Sequence, residues 1–253
     1  MRGALILNDS IVCQFLAWDS EFFETAIARF IPYTLNVELL ELAFAWCRDE
    51  NIQCLYYLAD PNDYRSILLA SSHQFIPVDI RLTFLRRSLN DIPEVKFNNR
   101  VKTRTGEFGD LPVLRQIVQN NNWPSRFYFD PHFKRDRVNQ FYVTWLENCF
   151  IHSLANSILV AEKNDKVVGF IICDMEGEQG KISLVGVDLN VSGLGIGPQL
   201  VYAAIDYFKE HNGTEVQVAT QGRNIPAQRL YQKCGFITQS IYMWYHKWFQ
   251  NNL

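Results

Sequence analysis

The sequence contains no C-x-x-C pair, no two histidines at metal-ligand spacing, and no apolar run as long as a membrane span. Each absence removes a class of function. The six cysteines (Cys13, Cys47, Cys54, Cys149, Cys173 and Cys234) are too scattered for a zinc knuckle or a dithiol motif. They read as small buried apolar residues of a reducing compartment. Five scattered histidines supply no donor cluster, so no metal is expected. Positive charge is short as well. The 24 Lys and Arg against 27 Asp and Glu give a net charge of −3, and nucleic acid is not an expected partner. A membrane helix needs about 20 apolar residues in a row. The first ten residues, MRGALILNDS, also lack the apolar stretch of a signal peptide. No membrane association is expected, and the expected location is cytoplasmic.

What is present suits a packed globular chain. Hydrophobic residues make up 48% and charged residues 20% of 253 positions, enough for one large core or two small ones. The most informative stretch is 181–212, KISLVGVDLNVSGLGIGPQLVYAAIDYFKEHN. Residues 181–189 are apolar and β-branched and predict a buried strand. Ser192, Gly193, Leu194, Gly195, Ile196 and Gly197 form a glycine-spaced loop. Pro198 suits the first turn of a helix that keeps Leu200, Val201, Ala204, Ile205 and Phe208 on one face. Strand, glycine loop and helix together aim backbone N–H groups and a positive helix end at a phosphate. The spacing is neither the dinucleotide fingerprint nor a P-loop.

A second pattern lies in 215–236, EVQVATQGRNIPAQRLYQKCGF. Val216, Val218 and Thr220 alternate as a strand. Asn224 suits a helix cap with Pro226 in the first turn, and Gly235 suits the stop. The x-x-G-x-G loop resembles the loop that holds the pyrophosphate of coenzyme A in the GCN5-related N-acetyltransferases. The spacing of Asn224, Ala227, Tyr231 and Gly235-Phe236 is similar to that family's second signature. Two signatures in order and at the right separation identify the chain as resembling this family.

The resemblance implies an α/β (α+β) fold, with a central mixed, mostly antiparallel sheet flanked by helices. Residues 100–253 follow the family's order. A strand begins at Val101, helices are expected near 110–121 and 134–152, and a hairpin turns at Asn164-Asp165. Then come the central strand, the two signatures and a last strand, 241–249. Residues 91–99 read as a polar linker. Residues 1–90 form a separate domain. Within 1–36, Phe22, Phe23, Ile27 and Phe30 are core candidates, and Asp19 or Ser20 is expected to start a turn. Residues 37–50 predict a helix, 54–59 a strand, 61–72 a short helix and 78–86 a strand.

Shifted by 161 positions, residues 37–85 lie over 198–246 without a gap, helix on helix and strand on strand. The first domain therefore reads as a degenerate, partial copy of the same fold. IPYTLN replaces the glycine loop, Asp63 stands where the second copy has Asn224, and Ala70 stands where it has Tyr231. No cofactor is expected there.

The resemblance further implies an acetyl-CoA co-substrate. Backbone groups of Val185, Gly186 and Val187 would hold its pantetheine arm and thioester carbonyl. The loop from Ser192 through Gly197 would hold the pyrophosphate. Ser192 departs from the family's usual Arg or Gln. Asn224 and Ala227 belong to the same set, Asn224 either bonding the cofactor arm or only capping its helix. Tyr231 stands at the general-acid position, where a phenol suits a thiolate leaving group; packing on the sheet is its other reading. No base is evident, and deprotonation through water fits that.

Within the family, SRFYFDPHF at 125–133, Trp145-x-x-Asn148 and the second signature are similar to enzymes that acetylate nucleotide-linked 4-amino-4,6-dideoxy sugars. A nucleotide-linked (dTDP or UDP) amino sugar is thus the expected acceptor, in polysaccharide synthesis. Arg126 would meet phosphate, with Lys134 or Arg135 assisting. Phe127, Tyr128 and Trp145 would supply rings. Another amine as acceptor, or acyl-CoA binding without catalysis, are the alternatives. A homodimer is a further expectation.

Overall fold

The computed structural model describes residues 3–90, 101–121, 123–151 and 154–249. In chain order it contains β1 (Ala4–Leu7), β2 (Ser10–Phe15), α1 (Ala17–Phe23), β3 (Ile27–Phe30), α2 (Val37–Asp49), β4 (Cys54–Ala59), α3 (Tyr64–Ser72) and β5 (Ile76–Arg86). These are followed by β6 (Val101–Thr105), α4 (Leu111–Asn120), α5 (Arg135–Ile151), β7 (Ser157–Lys163), β8 (Lys166–Glu176) and β9 (Gln179–Val187). The chain ends with α6 (Ile196–Glu210), β10 (Glu215–Gln221), α7 (Ile225–Lys233) and β11 (Ile237–Trp248). This is the mixed α+β class that the resemblance implies. The linker read at 91–99 lies outside the described residues.

The chain divides into two compact units that are not simply its two halves. The first takes the described residues of 1–81, 125–138 and 241–253, and the second those of 82–124 and 139–240. The first unit opens on a hairpin that the sequence reading missed. Asn8 (φ 48°) and Asp9 (φ 61°) turn it, the left-handed pair that a two-residue hairpin loop needs. Asp19 and Ser20 start no turn; both lie inside α1. The Ser20 hydroxyl accepts from the N–H of Ile27 at 2.9 Å, so this helix is tied to the strand that follows.

The sheet of the first unit runs β1-β2-β3-β4-β11, with β3 and β4 parallel and the other pairs antiparallel. Cross-strand partners share a face. One face carries Phe30, Leu55, Tyr57 and Tyr245, which join Leu40, Ala43 and Cys47 of α2 and Ala70 of α3 in one apolar core. The other face carries the register partners Arg29, Tyr56 and His246, together with Trp244 opposite Leu58. Phe127, Phe133 and Phe23 close over that second face through ring contacts. The second unit has the order β10-β9-β8-β7-β6. Only β10 and β9 are parallel, and the hairpin of β7 and β8 turns on Asn164 (φ 52°) and Asp165 (φ 58°) as expected. The expected strand at 181–189 begins earlier and ends at Val187, because the Asp188 carboxylate accepts from Asn190 N and folds the chain into one 3-10 turn.

The shift of 161 positions meets the element bounds closely. It carries α3 onto α7 residue for residue, the start of β5 onto that of β11, and β4 into β10. The helix caps coincide too. Asp63 accepts from the N–H of Ser66, and Asn224 from that of Ala227. Left-handed Asn51 (φ 51°) meets Asn212 (φ 62°), and Gln74 (φ 60°) meets Gly235 (φ 81°).

Asp130 is the polar centre of the first unit. Its carboxylate accepts from His246 Nδ1 at 2.7 Å, Trp248 Nε1 at 2.8 Å and the backbone N–H of His132 at 3.0 Å. Burial would raise this carboxyl, but the hydrogen bonds outweigh it and hold it well below the usual range. Burial pushes His246 down to about 4, although its bond to Asp130 acts the other way. A neutral His246 donates through Nδ1 and leaves only a bare lone pair at Nε2. The unfolded chain therefore takes up a proton near the ordinary histidine pKa of about 6.5, whereas the folded chain does not until near 4. Stability should fall as pH drops across that window, by up to about 1.4 kcal/mol per pH unit from this group. Urea melts from pH 7 to 4 should show this slope, and His246→Asn should flatten it. Equal slopes in the two proteins would mean that His246 is charged in the fold.

Candidate active site

The second unit brings the two sequence signatures into one core. Ile196, Leu200, Val201 and Tyr231 belong to a single buried cluster, with Val185, Val187, Ala227 and Leu230 packed against it. The site begins where two strands part. β9 and β10 pair from Gln179↔Glu215 to Ile182↔Val218, and both continue beyond the last pair, to Val187 and Gln221. On its other side β9 stays paired with β8 up to Val187↔Gly169. Among the described residues, 184–187 therefore have ladder partners on the β8 side only. The exception in backbone bonding is the Val187 carbonyl, which accepts from Asn121 Nδ2 at 3.0 Å. The same amide group donates to Ile117 O at 2.8 Å, so Asn121 fixes the strand end to α4. Sequence reasoning missed Asn121; one amide in an Asn run carries no local signal.

Immediately after this strand end, the loop reverses into α6. Gly193 and Gly195 both have φ of 81°, a conformation that side-chain-bearing residues rarely adopt, and a Cβ at either would meet open space. Glycine is needed here for backbone shape, with the surrounding space left clear. Gly195 is the N-cap of α6 and brings no side chain to cap it. The next N–H groups, of Ile196 and Gly197, belong to the unpaired first turn, and Pro198 has none. Gln199 N already bonds Gly195 O at 3.3 Å. The helix end therefore presents bare amides and the positive end of its dipole, which suits a phosphate. Ser192 is exposed beside them and adds a hydroxyl without charge. These features fit the pyrophosphate of coenzyme A.

The second signature folds beside this loop. Asn224 Oδ1 accepts from Ala227 N at 3.3 Å, so its capping role is met. Gln228 Nε2 donates to Gly222 O at 2.8 Å and closes the turn before α7. Leu230 lies at Gly197, where an added Cβ would approach it to 3.3 Å. Tyr231 is only 4% exposed, with its ring between those of Phe84 and Phe236 at 6.0 and 5.9 Å. Burial, with Cys234 adding to it, pushes its phenol well above the ordinary range, so it holds its proton at neutral pH. It is thus a packed ring that stays protonated.

The residues read as acceptor ligands fall in both units. Arg126, Phe127 and Tyr128 fold in the first unit and Trp145 in the second. Phe127 is 2% exposed among the rings of Phe23, Tyr56 and Phe133, so it has no face left to stack on a base. The Tyr128 ring is covered by Arg135 at 5.0 Å. Trp145 packs on the core that contains Leu114, Leu146 and Phe170. Arg126 is half-buried and contacts Asp19 at 3.7 Å. Asp174 accepts from the Ser183 hydroxyl, and Asp188 from Asn190. A cavity of about 1230 Å³ in the first unit, lined by Ser20, Glu24, Phe44, Arg48 and Trp248 among others, contains none of the residues of either signature.

Replacing Gly195 tests the loop. Gly195→Ala should cost about 1 kcal/mol of stability for a left-handed alanine and weaken acetyl-CoA binding by tenfold or more. Calorimetric titration beside urea melts would check both. Unchanged affinity would remove the loop from the cofactor site.

Comparison with known proteins agrees with this geometry. Residues 117–236 match the model of the Acetyltransferase (GNAT) family. The chain is 28% identical over 142 residues to the spore coat polysaccharide biosynthesis protein SpsD of Bacillus subtilis, covering 56% of this chain and 49% of that protein. It is 25% identical over 140 residues to the dTDP-fucosamine acetyltransferase of Escherichia coli, covering 54% and 59%. The matches thus span between 49% and 59% of the length of these curated relatives. A GCN5-related N-acetyltransferase from Sphaerobacter thermophilus shares the fold over 97% of this chain and 79% of its own, with a TM-score of 0.66 and 16% identity. Residues 117–236 thus form a GNAT acetyltransferase domain.

Proposed function

We propose that the protein is an N-acetyltransferase that moves acetyl from acetyl-CoA to the amine of a nucleotide-linked 4-amino-4,6-dideoxy sugar. The observation that carries the reaction class is the parting of β9 from β10 beside the left-handed glycines and open helix end of α6. In this reading Gly193, Leu194, Gly195, Ile196 and Gly197 bind the pyrophosphate through backbone N–H groups, with Ser192 adding its hydroxyl. Val185, Gly186 and Val187 line the pantetheine arm, and unpaired amides there polarise the thioester carbonyl. Asn224 and Ala227 shape the wall opposite. When bound, acetyl-CoA supplies an activated acetyl group. Tyr231 gives its proton to the departing thiolate, and the amine loses its own to water. The sugar acceptor rests on the polysaccharide and dTDP-fucosamine relatives.

The reading extends to domain history. Residues 1–90 are proposed as a partial copy of the fold, which the matching caps and element bounds support, and 100–253 as the catalytic domain. The test is release of coenzyme A thiol from acetyl-CoA with dTDP-4-amino-4,6-dideoxygalactose as acceptor and the UDP analogue beside it. Tyr231→Phe keeps the ring between Phe84 and Phe236, so it should lower kcat about 100-fold or more with little change in acetyl-CoA affinity or melting temperature. Full activity in that variant would leave Tyr231 as packing only. Acetyl-CoA binding without turnover on either sugar would refute the sugar acceptor.

A further inference from the structure

No cofactor was expected within residues 1–90, yet the first unit gathers cations that have too few partners. Arg29 leaves β3 on the same sheet face as Tyr56, Trp244 and His246. Its guanidinium lies 5.3 Å from the centre of the Trp244 ring. Arg126 lies 4.4 Å from the same ring and 4.8 Å from that of Tyr56. Arg81 is half-buried on β5, the strand beside β11 in the sheet order, and the charges of Arg29 and Arg126 both lower its pKa. Three guanidiniums thus share one neighbourhood.

Their compensation is thin. Asp19 reaches Arg126 at 3.7 Å, too far for a hydrogen bond. Among the described residues, no carboxylate forms an ion pair with Arg29 or Arg81. Arg29 Nε, Arg126 Nε and the buried Ser125 hydroxyl have no hydrogen-bond partner among those residues. Burial lowers the pKa of both Arg29 and Arg81, and neighbouring arginines lower them further. Two nearby carboxylates are engaged elsewhere: Asp130 with His246 and Trp248, and Asp60 with Asn62. Clustering like charges costs stability, and a multivalent anion offsets that cost. Guanidinium forks match phosphate oxygens in pairs.

Aromatic surface adjoins the charge. Tyr242 lies two residues before Trp244 on β11, on the same face, and its ring stacks with that of Tyr33 at 4.6 Å. Tyr33 is 47% exposed, so its outer face is open to a flat ring. We propose that Arg29, Arg81 and Arg126, beside the Tyr33–Tyr242 ring pair, bind the diphosphate of a nucleoside diphosphate. The site stands on its own geometry. Only the sugar attached to that diphosphate rests on the acceptor reading above.

Calorimetric titration of the full chain tests it, with dTDP, UDP, inorganic pyrophosphate and acetyl-CoA as separate ligands. dTDP or UDP should bind, and pyrophosphate should compete. Arg81→Gln and Arg126→Gln should each weaken nucleotide binding at least tenfold and leave acetyl-CoA binding unchanged. Arg81→Lys, which keeps charge and fold but loses the fork, should fall between. Circular dichroism melts would confirm that the variants are folded. Failure of all three diphosphate ligands to bind, or equal nucleotide affinity in folded variants, overturns the site. Loss of acetyl-CoA binding in the variants overturns it as well, by assigning the arginines to the coenzyme. Sugar-nucleotide turnover that survives both Gln substitutions with unchanged KM would sink this site while leaving the proposed reaction intact. Tight, arginine-dependent dTDP binding without any acetyl transfer would keep the site and refute the reaction.

Discussion

Two parallel strands that stop pairing govern the second unit. β9 and β10 begin as ordinary ladder partners, and after Ile182 and Val218 each runs on without the other. A strand stripped of a neighbour exposes N–H and C=O groups that need partners. Here the exposed segment stays in register through β8 on its far side and through Asn121 at its end. The backbone can therefore remain extended while one edge stays available. The same strand delivers the chain into the Gly193–Gly197 turn, so the free edge and the open end of α6 arise from one stretch of sequence.

Much of that stretch was legible beforehand because its constraints are local. Glycine at 193 and 195 meets a backbone requirement at those two positions, and both take φ of 81°. Asn224 caps α7 from three residues away. Asn164-Asp165 turns its hairpin by its own dihedrals. The same turn chemistry at Asn8-Asp9 went unread because β1 is four residues long and mostly exposed, which leaves no alternating pattern to flag it. Phe127 failed as a local reading for a different reason. A loop rich in Arg and aromatics looks like ligand-binding material, but Asp130 is held by His246, 116 positions away in sequence. That long-range pair helps fix residues 125–133 on a sheet face, and the burial of Phe127 comes with it.

Residues 37–85 share caps and element bounds with 198–246 while lacking a glycine loop. IPYTLN leads into α2 capped by the Asn36 side chain, which accepts from Leu39 N at 2.8 Å, so that helix end is already occupied. α6 has no such side-chain cap. The contrast between Asn36 and Gly195 is the physical difference between a helix that is finished and one that is open to an anion. Polar character in the first unit has moved to the sheet face instead, to Asp130 and the arginines.

The most direct measurement of the central claim is an amide NMR titration of the full chain with acetyl-CoA. The account predicts that the N–H signals of Gly193, Leu194, Gly195, Ile196 and Gly197 shift together with those of 185–187. Saturable binding that leaves these amides unmoved and shifts others instead would contradict it.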